Sequence, residues 1–249
     1  MNYAKLKKIV FRCLHYLLMG TISVMMLLPF SWMLATSMRK ASNSFTLPPA
    51  IFPTIWDGEN YRRVFEELKI CKYMANSLIV TLGSLAIMVL FTSMAAYAFS
   101  RIEFKGRNVL FPVLLAGLMI PSQSIAIPVF LIIRQMNLID NLFSLIFTLV
   151  YYPLGLFMLR QAMLSIPKSY DEAAYCDGAG HIAIYARIIL PMTKSTIMMM
   201  VVMHFIRAWN DFFNPLLFIN SNAKMTVPLG IRMLNTSNGK SNMPLMMAG

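Results

Sequence analysis

The stretch "SIPKSYDEAAYCDGAGHIAIYARIILP", residues 165–191, lies between two long apolar runs and holds Asp171, Glu172 and Asp177, three of the chain's ten acidic residues. Ser169 followed by Glu172 fits a capping box, in which the hydroxyl caps a helix start and the carboxylate reaches back. Asp171 and Glu172 also suit the positive end of the helix dipole. Ala173, Ala174 and Tyr175 continue the helix, and Gly178 stands where a left-handed residue ends it. A second helix is expected from about Gly180 to Leu190, with Pro191 ending it or opening the next element. The first helix is small and polar, so it is ill suited to lipid. It suits a groove on another protein; the alternative is a structured loop that only connects.

The surroundings decide the fold class. Charge-free runs cover residues 13–38, 73–100, 108–133 and 141–159, and a fifth, 195–219, is interrupted only by Arg207 and Asp211. A bilayer core of about 30 Å needs roughly 20 helical residues to cross it. The chain is 58% hydrophobic and 13% charged, with mean hydropathy +0.62. A soluble domain is nearer half apolar and a quarter charged. The reading is an all-α, polytopic helical membrane protein. The first run is too long for a signal-peptide core and lacks a small-residue cleavage site, so it counts as a span.

A net charge of +12 would suit nucleic acid, but the basic residues sit at the ends of apolar runs, where they anchor spans and set orientation. Cys13, Cys71 and Cys176 are odd in number and widely spaced, so neither a disulfide framework nor a zinc site follows. His15, His181 and His204 are as scattered and read as packing or surface residues.

Residues 1–12 carry Lys5, Lys7, Lys8 and Arg12 and form a basic amino terminus expected in the cytoplasm. Residues 13–38 are the first transmembrane helix. Alternation then puts Arg101, Lys105 and Arg107 inside, Arg134 outside, and the loop 160–194 inside with Arg160, Lys168, Arg187 and Lys194. The outer loop, 39–72, weakens the charge argument, since it holds Arg39, Lys40, Arg62, Arg63, Lys69 and Lys72. It begins as extended chain around Pro48, Pro49 and Pro53. A surface helix follows from Asn60 to Lys69, with Trp56, Tyr61 and Tyr73 fitting an interfacial belt.

Pro112, Pro121 and Pro128 in the third run predict either a bent, pathway-lining helix or a kink that shapes packing. Arg207 and Asp211 are four apart, so they share a helix face and could pair. With Asn210 they mark a pathway or a structural pair. "NGKS", residues 238–241, is no phosphate loop, because position 234 is Leu234 where a glycine is needed. Five spans from an inside start end outside. The last residues, "SNMPLMMAG", turn apolar, so a sixth span is expected beyond residue 249.

"EAAYCDGAGHIAIYARIILP" resembles the motif of the inner-membrane permeases of binding-protein-dependent ABC importers: EAA, three residues, Gly, nine residues, Ile, one residue, Leu-Pro. It falls on Glu172, Ala173, Ala174, Gly178, Ile188, Leu190 and Pro191 with the spacing intact, Asp177 lying within it. "ENYRRVFEE", "FKGRNVLF", "MIPSQSIAIPVFLI", "WNDFFNPLLF" and "TVPLG" are similar to the shorter of the two permeases in sugar importers. The resemblance implies the type I ABC importer permease fold over residues 73–249, carboxy-terminally incomplete, with 160–194 as its cytoplasmic coupling loop. It implies a second, homologous permease subunit, a cytoplasmic ATPase dimer, an extracytoplasmic solute-binding protein and a cell-membrane location. It also implies a sugar or oligosaccharide as solute. No cofactor would be bound directly, ATP being hydrolysed on the partner ATPase, so the chain would be a transport subunit and not an enzyme. The rival class is an ion-coupled secondary transporter of a small polar solute, for which Asp211 is the one membrane-buried carboxylate available.

Overall fold

A computed structural model describes residues 3–40, 56–66, 70–234 and 243–249. The prolines of the outer loop, the end of the expected 60–69 helix and the "NGKS" segment lie outside the described residues. All regular structure among the described residues is helical. The chain divides into two compact units, residues 1–71 with 231–249, and residues 72–230.

In the first unit, α1 (Tyr3–Ser37) is a single helix whose apolar side chains, Phe11, Leu17 and Met26 among them, are exposed as far as Phe30, with Ala35, Thr36 and Ser37 buried at its end. A helix apolar all round and without protein cover is a membrane span. Its carboxy-terminal end meets α2 (Glu59–Glu66). The buried amide of Asn60 donates to the carbonyls of Ser37 (2.9 Å) and Arg39 (2.7 Å), and Ser37 Oγ lies 2.7 Å from Tyr61 Oη. These bonds satisfy carbonyls that a helix end leaves without partners. α2 turns Asn60 and Val64 inward, and Arg62 bridges Glu59 and Glu66 on its outer face. These exposed pairs add little to stability.

The second unit is strung on α3 (Ile70–Arg101). Its 32 residues span about 48 Å, more than the bilayer core, so its ends project beyond the hydrocarbon. Residues of α3 enter two cores. Val80 packs with Ile133, Leu145, Leu149, Phe218 and Leu229. Met88, Ala96 and Tyr97 pack with Phe111, Leu159, Met163, Ile184, Ile189 and Met200.

The remaining runs are interrupted. The third is divided into α4 (Arg107–Ala116), a 3-10 turn at Ser122–Ile125 and α5 (Ala126–Gln135). Pro112 sits inside α4, Pro121 precedes the 3-10 turn and Pro128 lies in the first turn of α5. The carbonyl of Leu114, left over where α4 ends, accepts from Tyr151 Oη. A protein neighbour thus meets the freed backbone group.

The fourth run is α6 (Leu142–Val150) and α7 (Pro153–Leu164), bent by 42°. Asn141 Oδ1 caps α6 by accepting from the amide of Phe143, and Pro153 starts α7 where a missing amide costs nothing. After α7 come α8 (Ser169–Cys176), α9 (His181–Ile184), a π turn (Tyr185–Ile189) and α10 (Leu190–Met192). α11 (Lys194–Trp209) leaves this segment at 76°. It packs on α7, where Gly155 approaches so closely that a Cβ would stand 2.8 Å from Met200 Sδ. The fifth run breaks at residues 210–212 before α12 (Phe213–Phe218), followed by α13 (Val227–Leu234). α14 (Met243–Ala248) belongs to the first unit and packs on α1 and α2.

Candidate functional site

α8 starts earlier than a capping box would have it. Lys168 is the cap residue, its carbonyl accepting from the amides of Asp171 (2.9 Å) and Glu172 (3.0 Å). Ser169 is therefore already inside the first turn, and no side chain caps the helix. The expected Ser169–Glu172 capping box does not form. Asp171 and Glu172 still occupy the first turn, where their charge suits the dipole.

The helix end follows the glycine rule. Gly178 has φ +80°, its amide donates to Tyr175 O (3.0 Å), and the amide of Ala179 donates to Ala174 O (2.9 Å). These two bonds around a left-handed residue make a Schellman motif. Nothing lies within 4 Å of where a Cβ at Gly178 would be, so the glycine is required by conformation and not by space. The second helix widens to π spacing over Tyr185–Ile189, just before Pro191. A proline has no amide for the carbonyl one turn back, and the π turn absorbs that loss.

The motif residues separate by face. Glu172, Ala173, Asp177, Gly178 and Pro191 are exposed, Ala174 is buried, and Ile188 and Leu190 are half-buried. Ile182 stands out 83% exposed beside Gly180, His181 and Arg187, which line an open surface depression. Ile184 and Ile189, which the motif does not include, are fully buried in the core.

Behind this surface lies a buried ion pair. Arg101 Nη1, at the end of α3, is 3.1 Å from Asp171 Oδ2, their side chains 4% and 11% exposed. Arg101 Nη2 donates to the carbonyls of Met163 (2.9 Å) and Ile166 (2.8 Å). One guanidinium thus gathers three oxygens from α7, its trailing loop and α8. Removing either charge of such a pair alone typically costs about 3–5 kcal/mol. Higher on α3, Ser93 Oγ lies 2.7 Å from Tyr185 Oη, and the Tyr97 and Tyr185 rings are 5.4 Å apart. Tyr175 Oη is 2.8 Å from His181 Nδ1, tying α8 to α9 across the glycine turn. Arg160 donates to Phe99 O (3.0 Å) and lies 4.1 Å above the Phe111 ring.

The second group of sequence-marked residues does not come together as expected. Arg207 and Asp211 form no ion pair. α11 stops at Trp209, so the four-residue helical spacing does not carry through to Asp211. Arg207 instead reaches the carbonyl of Tyr151 (3.5 Å) and lies 5.7 Å above the Tyr152 ring. Asp211 accepts from the side chain (2.8 Å) and backbone amide (3.4 Å) of Asn214, and Asn210 donates back to Ile206 O. His204, read from the sequence as packing or surface, is wholly buried, with Nε2 3.1 Å from Ser84 Oγ and Nδ1 without a partner.

Between α5 and α6, Asp140 has φ +55° and collects the amides of Asn220 and Ser221, the Ser221 hydroxyl and the Lys224 ammonium. The Ser221 amide is the main influence holding its carboxyl below the ordinary 3.8, at about 2.

Among the described residues, apolar, bent and broken helices around a surface-displayed helix–turn–helix make a helical membrane protein. Residues 88–248 match the family described as "Binding-protein-dependent transport system inner membrane component". The chain belongs to that family of membrane transport components. It is 32% identical over 215 residues to the inner membrane ABC transporter permease protein YcjP of Escherichia coli, covering 85% of this chain and 77% of that protein. It is 34% identical over 231 residues to the trehalose/maltose transport system permease protein MalG of Thermococcus litoralis, covering 90% and 82%. The diacetylchitobiose uptake system permease protein NgcG of Streptomyces coelicolor is 30% identical over 223 residues, covering 89% and 74%. Among solved structures, a bacterial ABC transporter involved in the import of the acidic polysaccharide alginate superimposes with a TM-score of 0.81 at 21% identity, over 97% of this chain and 90% of that one. The fold is that of an ABC importer permease, and the chain is a membrane transport subunit, not an enzyme.

Proposed function

We propose that the chain is one permease subunit of an ATP-driven importer. With a second, homologous permease it forms the path for a sugar or oligosaccharide delivered by an external solute-binding protein. A cytoplasmic ATPase dimer supplies the energy, and the segment from Glu172 to Gly178 with Ile188, Leu190 and Pro191 is where the ATPases engage. The observation that carries this reading is α8 itself. It is a short polar helix anchored from behind by Arg101 and closed by a Schellman turn, with Glu172, Ala173 and Asp177 facing away from the core. Small side chains permit close approach to a partner groove, and the carboxylates offer charge-assisted bonds to it. Sugar as solute is supported by the relatives named for diacetylchitobiose, trehalose/maltose and arabinooligosaccharide transport.

In this reading residues 1–12 and 160–194 are cytoplasmic and 39–72 external, with 73–249 forming the importer's transmembrane domain. Closure of the ATPase pair on ATP favours one permease state, and binding of solute-loaded binding protein favours the same change from outside. The test is uptake of labelled maltose, trehalose, arabinotriose and diacetylchitobiose into cells carrying the gene with its neighbours. Uptake of one sugar that needs an intact ATPase is expected. Uptake that survives loss of the ATPase but collapses with a protonophore would overturn the proposal in favour of an ion-coupled transporter.

A further inference from the structure

We propose that Arg101 is a positioning residue: it clamps α8 to the ends of α3 and α7, so that a push on the exposed face of α8 is passed into α3. The inference rests on the coupling role proposed for α8. It adds the route by which movement leaves that helix.

The geometry suits a stiff link. A guanidinium is a planar fork of five donors, and here two of its nitrogens hold Asp171 and the carbonyls of Met163 and Ile166 at 2.8–3.1 Å. Both side chains are almost wholly buried, so separating them would strand two charges away from water. Asp171 and Ala174 form the inward face of α8, opposite Glu172, Ala173 and Asp177. A load on the outer face is therefore passed through Asp171 to Arg101 and through Ala174 to the first core.

A second attachment lies on the same helix. Ser93, Tyr97 and Arg101 are spaced four apart and form one stripe of α3. Ser93 and Tyr97 hold Tyr185 in the π turn, as Arg101 holds Asp171 in α8. Both halves of the motif segment are thus fixed to α3. That helix also enters the second core through Val80. α7 joins α8 through a short loop at residues 165–168, and its Leu159 and Met163 share the first core with Ala174 and Ile184. Lysine at position 101 would keep the charge, but a single ammonium cannot reproduce the fork.

The experiment uses the full chain assembled with its partner permease and ATPase in proteoliposomes. It compares amide exchange between the nucleotide-free complex and one trapped with ATP and vanadate, and needs no transported solute. In the wild type, trapping should change exchange in residues 169–179 and in residues 93–101. In Arg101→Met the change at 169–179 should persist while that at 93–101 is lost. Arg101→Lys and Asp171→Asn, milder variants that test the link if Arg101→Met assembles poorly, should shrink it to an intermediate degree. A trapping signal at 93–101 that is undiminished in all three variants would overturn the clamp. So would a parallel loss of both signals, which marks a merely structural role. Absence of any change at 169–179 in the wild type would instead overturn the coupling role of α8.

Discussion

Nε2 of His204 and Oγ of Ser84 lie 3.1 Å apart, joining α11 to α3 inside the bundle, with the Tyr152 ring edge-on to the imidazole at 5.5 Å. Hydrogen bonds between membrane helices are worth about 0.6 kcal/mol on average. Ser84→Ala should therefore cost about that much. His204→Ala should cost several times more, because it empties a fully buried ring site as well as breaking the bond. Thermal denaturation of the detergent-solubilised complex measures both. Equal losses would show that packing around His204 contributes nothing.

Gly178 separates conformation from space. Its φ of +80° disfavours any Cβ, yet no atom lies within 4 Å of one. Left-handed backbone costs an ordinary residue about 1–2 kcal/mol, and asparagine less. Gly178→Val should impair solute-stimulated ATP hydrolysis most, Gly178→Ala less and Gly178→Asn least. Gly180 has the ordinary φ of −82° and equally open surroundings, so Gly180→Ala should be close to neutral. An inverted order at position 178 would remove the left-handed turn as the reason for that glycine.

What the sequence discloses follows from how local each cause is. The apolar runs declare membrane helices by length alone, and Gly178 is marked by its place just past a short helical pattern. Boundaries are less legible: Ser169 lies inside α8 because Lys168 makes the cap, a choice of one residue that composition does not encode. The breaks within the third and fifth runs leave only prolines and the polar Asn210–Asp211 as traces. Arg207 and Asp211 look paired on a continuous helix and are unpaired on an interrupted one. The Arg101–Asp171 bridge joins residues 70 positions apart. In the sequence Arg101 is only one more charge after an apolar run, and Asp171 a dipole residue.

The Asp140 cluster predicts a pH dependence. Its folded pKa, about 2, lies below the ordinary 3.8. The stabilisation is therefore full above the unfolded value and is lost as pH falls through the folded one. Stability of the wild type relative to Asp140→Asn should be constant above about pH 5, be falling steeply at about pH 3 and shrink to nothing only near about pH 1. Denaturation of both proteins across that range checks it. A difference that stays flat to the acid end would mean the Ser221 and Asn220 contacts act equally on the neutral acid.

Glu172→Lys tests the face of α8 that the protein itself does not cover. Glu172 is exposed, so reversal, which removes one favourable charge and adds an unfavourable one, should change folding by no more than about twice the 0.3–1 kcal/mol of a single charge at the dipole. Assembly in the membrane should be normal while ATP-driven sugar uptake falls. Size-exclusion chromatography of the complex and uptake in the same vesicles supply the two numbers. Normal uptake beside normal assembly would reduce this part of α8 to a connector.

Orientation can be read from cysteines the chain already carries. Cys71 and Cys176 are both free and exposed. The cluster of Lys7, Lys8 and Arg12 before the first span argues for a cytoplasmic amino terminus, which puts residues 39–72 outside and 160–194 inside. A membrane-impermeant maleimide applied to intact spheroplasts should therefore modify Cys71 and spare Cys176. Opening the membrane should expose Cys176, except to the extent that a bound ATPase shields it. Cys13→Ser removes the third thiol from the background without touching either reporter. Modification of Cys176 in intact spheroplasts would invert the topology, and α8 would then face the side without ATP.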